Sequence, residues 1–182
     1  MTSMPHVSPG HLLVATPELE DPNFARSVVL LLAHGDEGSL GVVVNRPGEL
    51  PVTEVLPGLA PAVSEPATMF AGGPVQPDGV IGLGRAEGEV SSLNLVIPGL
   101  GVVDLDQDSE VLAGELSDLR LFAGHAGWTP GQLEAELEQG GWFIVEARSG
   151  DVFCSLPDQL WTRVLRRQGG LFTTATADPS SN

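Results

Sequence analysis

The chain has 182 residues, with 24 acidic side chains against 8 basic ones and a net charge of −16. Every cation is an arginine, and this field repels phosphate backbones, so direct nucleic-acid binding is not expected. Hydrophobic residues make up 42%, enough for a buried core without disulfides or a structural metal.

A single cysteine, Cys154, rules out an internal disulfide framework and suits a reducing compartment. The first twenty residues lack the basic start and long apolar run of a secretory signal. No segment approaches the roughly 18 consecutive apolar residues of a membrane span. The expectation is a cytoplasmic chain with no membrane partner. Residues 1–9 and 173–182 are polar and aperiodic and read as mobile tails around one domain over 10–172.

Strands dominate the first half. Short β-branched or leucine-rich runs at 11–15, 27–34 and 41–45 are bounded by Pro, Gly and Asp. Val28 to Leu32 is apolar without alternation, which predicts a strand covered on both faces. The stretch 36–39, Asp-Glu-Gly-Ser, suits a hairpin turn. Further strands are expected at 67–73 and 79–84, parted by a proline-bearing turn, then at 93–97 and 101–105.

From Asp106 the period changes. A short helix is expected near Val111 to Leu116, with acids in its first turn, followed by a strand at 119–124. Thr129 suits an N-cap, Pro130 the first helical position and Gln132 a capping box, with Leu133 and Leu137 on one face and Gly140-Gly141 as the stop. Trp142 opens a strand. The last helix starts near Ser155 and Asp158, carries a stripe of Leu160, Trp161, Val164 and Leu165, and ends at Gly169-Gly170. Arg163, Arg166 and Arg167 load its C-terminal end, where cations complement the helix dipole. The pattern is an α+β chain: a mixed sheet with flanking helices.

Several motifs dissolve on inspection. Asp104, Asp106, Asp108 and Glu115 imitate a calcium loop, but Ser109 stands where the sharp turn needs glycine. Gly82, Gly84 and Gly88 miss the dinucleotide spacing by one residue. The histidines lack paired zinc spacing, no nucleophile elbow is present, and Cys154 in an apolar run reads as an inert core thiol. No metal, no cofactor and no catalytic residue is assigned.

Three glycine-rich corners remain. One carries Asn45, Arg46 and Pro47 at a strand end, where arginine projects a bidentate donor. The second carries Gly72, Gly73 and Pro74, and the third Gly124, His125, Gly127, Trp128 and Gln132. If they meet, Arg46, free glycine amides and the Trp128 ring form a concave site for a small anionic ligand or a protein partner. If they do not, each is only a tight turn. An enzymatic alternative uses His34 or His125 as acid–base group near Arg46.

The stretch from Gly10 to Pro47, then Gly-Gly-Pro-Val at 72–75, then Leu121 to Trp142 resemble, in order and spacing, the YqgE/AlgH family of small bacterial proteins. The resemblance runs to about Leu171. It implies a compact α/β fold with a mixed, partly barrel-like sheet and helices packed on it. It also implies that Asn45, Arg46, Pro47, Gly72, Gly73, Pro74, Gly124, Gly127, Trp128, Gly131, Gln132, Leu133 and Glu134 are the family's characteristic positions. His125 stands where relatives usually show a tyrosine, which leaves a hydroxyl role there without a carrier. One branch of the family is labelled a regulator of alginate production, often extended to transcriptional regulator. Here the charge disfavours direct DNA contact and leaves regulation through a protein partner.

Overall fold

The computed structural model of the chain describes residues 7–19, 21–22 and 24–168. The expected C-terminal tail, most of the N-terminal one and the Gly169-Gly170 helix stop lie outside these residues. Val7, inside the stretch expected as a tail, is buried, and the Ser8 amide donates to His11 Nδ1 at 3.1 Å.

In chain order the described elements are β1 (His11–Ala15), β2 (Val28–Gly35), β3 (Gly38–Val43), β4 (Pro47–Pro51), α1 (Val52–Val55), β5 (Thr68–Ala71), β6 (Val75–Arg85), β7 (Leu93–Ile97) and β8 (Leu100–Val103). Then follow α2 (Ser109–Glu115), β9 (Asp118–Trp128), α3 (Gln132–Glu138), β10 (Trp142–Glu146) and α4 (Leu160–Gln168). The sheet runs β10-β1-β2-β3-β9-β6-β8-β7, with β5 and β4 branching from β9. The β5–β9 pair is parallel, and the other pairings are antiparallel. Although β1 and β7 are far apart in this order, a side chain on Gly10 would collide with Ile97. The sheet therefore curls back on itself into a partial barrel.

Strands β1 to β3 are buried on both faces, as the unbroken apolar run predicts. Leu12, Val14, Val28, Leu30, Val42 and Val44 pack on one side with Leu160, Trp161, Val164 and Leu165 of α4. Leu13, Ala15, Val29, Leu31 and Val43 pack on the other with Leu133 of α3, Trp128 and Trp142. A third cluster sets Val52, Leu59, Val63 and Leu112 against Leu119 and Leu121 of β9. The expected stripe of α4 is thus its buried face, which at about 25 cal/mol per Å² makes it the cover of one core.

Several elements depart from the expected ones. The β2–β3 hairpin is tighter, since Gly35 pairs with Gly38 across Asp36-Glu37. Strand β4 is an addition: a proline-bounded segment whose ladder with β5 pairs Pro47 with Phe70 and Pro51 with Thr68 and is irregular between them, as prolines allow at an edge. The turn expected between 73 and 79 is instead a bulge within β6, between the Val75–His125 and Val80–Ala123 pairs. Pro77 lies in that bulge, where it interrupts no ladder. Strand β9 runs through Gly124 to Trp128, which the glycines suggested was a corner. Its neighbours β3 and β6 supply ladder partners on both sides, and these outweigh local turn preference.

Helix α3 starts at Gln132 with Gly131 as its left-handed N-cap, two residues later than Thr129 predicted. Half of the capping box survives, because the Thr129 amide donates to Gln132 Oε1 at 3.0 Å. Helix α4 likewise begins at Leu160, after a 3-10 turn over Pro157–Gln159, with no side-chain cap from Ser155.

Candidate functional site

The three glycine corners come together, but main chain fills the space between them. The Val43 amide donates to the Gly72 carbonyl at 2.9 Å, and the Gly72 amide donates to the Ala123 carbonyl at 2.8 Å. The Ala71 amide reaches the Arg46 carbonyl at 2.8 Å. A Cβ on Gly72 would strike the Gly124 carbonyl, one on Gly73 the backbone of His125, and one on Gly124 the Gly73 carbonyl. These glycines let the end of β5 lie directly on β9, with Gly73 at φ 150 and Gly124 at φ 76. The Gly72 amide is already used and presents nothing to a ligand.

Asn45 and Arg46 brace the segment that leads into β2. Asn45 Oδ1 accepts from the Val28 amide and its Nδ2 donates to the Arg26 carbonyl, both at 3.0 Å. Arg46 Nη2 donates to the Ala25 carbonyl at 2.8 Å. Burial pulls the Arg46 guanidinium below the ordinary arginine value, and the Asp21 carboxylate opposes that pull. The Trp128 ring lies against Phe24, and the next residue, Ala25, gives its carbonyl to Arg46. The indole and the guanidinium thus flank consecutive residues, with the Trp128 Nε1 given to Glu136 and the Arg46 Nη2 to main chain.

The remaining candidates fall into separate settings. His125 is half-buried on β9 opposite Val75, and Gly127 is exposed opposite Leu40. His34 bonds Ser39 Oγ through Nδ1 at 2.6 Å, with Nε2 at 3.9 Å from Glu134 Oε2. It lies six residues along β2 from Val28, about 20 Å from the Asn45 end. Trp128 stacks on Phe24 at 6.3 Å, and its Nε1 donates to Glu136 Oε1 at 3.0 Å. Gln132 Nε2 donates to Glu136 Oε2, also at 3.0 Å.

A hollow of about 550 Å³ lies elsewhere, along α4, lined by Asp158, Gln159, Thr162, Arg163, Arg166 and Arg167. Two of its guanidiniums are anchored from behind. Both Arg167 Nη atoms reach the Asp151 carboxylate, at 2.6 and 2.8 Å. Arg163 Nη1 donates to Cys154 Sγ at 3.5 Å, while the buried thiol donates to the Leu156 carbonyl. Arg166 and Asp158 are exposed. Anchored planar forks lose little freedom on meeting a carboxylate or phosphate.

The AlgH-like family matches residues 12–173. The chain belongs to that family. A UPF0301 protein of Streptomyces coelicolor is 49% identical over 193 residues, covering 100% of both chains. One of Thermobifida fusca is 49% identical over 187 residues, 95% of this chain and 94% of its own. The crystal structure of a protein from Corynebacterium diphtheriae matches with a TM-score of 0.90 at 34% identity, over 96% of this chain and 94% of that one. The solution structure of the AlgH protein from Pseudomonas aeruginosa matches at 0.69 and 32% identity, over 98% of each. These neighbours bear out the mixed, partly barrel-like sheet.

Sequence reasoning passed over two polar centres of this AlgH-like chain. Glu136 sits under both indoles, accepting from Trp142 Nε1 at 2.9 Å as well as from Trp128. Arg120 is fully buried on β9, donating to the carbonyls of Val152, Cys154 and Glu65, with its charge 4.4 Å above the Phe70 ring. Burial pushes its pKa down to about 10, against the opposing pull of Cys154 and Asp118. An arginine inside an otherwise apolar strand was the only signal. Among the described residues no group of three or more His, Cys, Asp or Glu gathers as a metal site, and no helix is long and apolar enough to cross a membrane.

Proposed function

We propose that this chain is a binding or accessory module that recognises an anionic group, carried by a small ligand or by a protein partner, in the arginine-lined groove of α4. The observation that carries this reading is charge placement: three of the eight cations in a chain of net charge −16 line one hollow of about 550 Å³. In an acidic field such a local cluster is the natural landing point for a carboxylate or phosphate. The volume falls in the range of small-molecule sites. The glycine corners then serve as scaffold, since their backbone groups hold one another. The single cysteine supports a cytoplasmic location. Regulation, in the sense of the family label, proceeds here through the bound ligand or partner rather than through direct contact with DNA.

The test is a thermal-shift and calorimetric titration of the chain with inorganic phosphate, citrate and short peptides. A ligand held about 100-fold above its Kd stabilises the fold by ~2.7 kcal/mol. The midpoint is expected to rise with at least one of these anions and to stay put in the Arg163→Ala/Arg166→Ala variant. A shift that survives both substitutions, or none with any anion, defeats the reading.

A further inference from the structure

Resting on that reading, the geometry points to a more definite ligand: a short peptide with free amino and carboxyl termini, held lengthwise along α4. The argument starts from the charges that remain to meet a ligand. Arg167 spends both Nη atoms on Asp151, at 2.6 and 2.8 Å, so that pair is close to neutral as seen from the groove. Arg163 and Arg166 are left as cations and Asp158 as an anion, all three exposed. Two cations and one anion suit a ligand with opposite charges at its ends. A dianion would meet Asp158 as a like charge, which costs affinity.

Spacing along the helix selects among such ligands. Asp158, in the 3-10 turn that leads into α4, precedes Arg163 by five residues and Arg166 by eight, axial offsets of about 8 and 13 Å. The ammonium and carboxylate of a single α-amino acid share one carbon and cannot span that offset. Three extended residues cover about 10 Å. Gln159 and Thr162 line the hollow between the charged ends, the amide and hydroxyl that peptide N–H and C=O groups need. Asp158 would take the ammonium, Arg163 and Arg166 the carboxylate, and the middle pair the backbone between them.

Calorimetric titration with triglycine, N-acetyl-triglycine, triglycine amide and inorganic phosphate tests this directly. Asp158 and Arg166 are exposed, so their variants fold. Triglycine is expected to bind, and acetylation or amidation is expected to weaken it about 10-fold each, ~1.4 kcal/mol. Asp158→Asn should abolish the distinction between free and acetylated amino termini. Arg163→Ala/Arg166→Ala should abolish that between acid and amide. Phosphate binding more tightly than triglycine, with Asp158→Asn tightening it further, overturns the peptide assignment and leaves anion recognition standing. No binding by any of the four probes overturns both.

Discussion

Trp128 and Trp142 stand edge to face, 6.2 Å apart with their planes 76° to one another, and share a single acceptor. Glu136 Oε1 takes both indole N–H groups, at 3.0 and 2.9 Å, so one carboxylate on α3 ties together strands β9 and β10. Both indoles are 5% exposed. Glu136→Ala leaves two buried donors unpaired, at about 1–3 kcal/mol each. It is expected to lower unfolding free energy by about 3 kcal/mol in urea titrations followed by tryptophan fluorescence. Glu136→Gln keeps an oxygen in place and is expected to lose less than half of that.

Gly124 and Gly131 have nearly the same backbone, φ 76 and φ 80, in different surroundings. A side chain on Gly124 would strike the carbonyl of Gly73, whereas Gly131 has nothing within 4 Å. Gly131→Ala therefore meets only the left-handed backbone penalty, about 1 kcal/mol. Gly124→Ala must also push β5 off β9, and at least about 3 kcal/mol or failure to fold is expected. Thermal midpoints of the two variants make the comparison. Equal losses would mean that the Gly72-Gly73 corner does not rest on β9.

Arg46 and the α4 arginines should separate cleanly in one experiment. Arg46→Ala removes a charge-assisted bond to the Ala25 carbonyl, and Asn45→Ala strands the Val28 amide and the Arg26 carbonyl. Each is expected to cost about 2 kcal/mol of stability while leaving anion-induced midpoint shifts intact. Arg163→Ala/Arg166→Ala should do the reverse: little change in stability, because both side chains are exposed, and loss of the shift. Thermal-shift titrations of the three variants decide it.

What could be read from residues alone follows from how local the cause is. Strand β7 lies at 93–97 as expected, and the continuous apolar run of β2 announced burial on both faces, because these depend on the segment's own side chains. The Gly124–Trp128 segment misled because glycine there answers a distant need, the close approach of Gly72 and Gly73. Strand β4 was hidden by its two prolines, which are tolerated only because its pairing is sparse. Arg163, Arg166 and Arg167 were visible as helix-end charges. Their groove was not, since Asp151 and Cys154, which anchor two of them, precede the helix and meet it only in space.

Arg120 gives the pH-dependent prediction. The folded pKa lies near 10, well below the ordinary arginine value, because burial disfavours the charge. Up to about pH 10 both folded and unfolded chains carry that proton, so the full cost of burying the cation is present. Above about pH 10 the unfolded chain keeps the proton while the folded chain gives it up, and stability rises with pH. Arg120→Met removes this titration, and it also strips the Val152, Cys154 and Glu65 carbonyls of their donor. At neutral pH the variant is expected to be less stable by about 3 kcal/mol. In urea titrations the gap should stay constant from pH 7 to 9, then widen in favour of the wild type by about 1 kcal/mol by pH 11. A gap that stays level throughout would mean that the folded chain never releases the proton, and that the three carbonyls and the Phe70 face solvate the cation as well as water does.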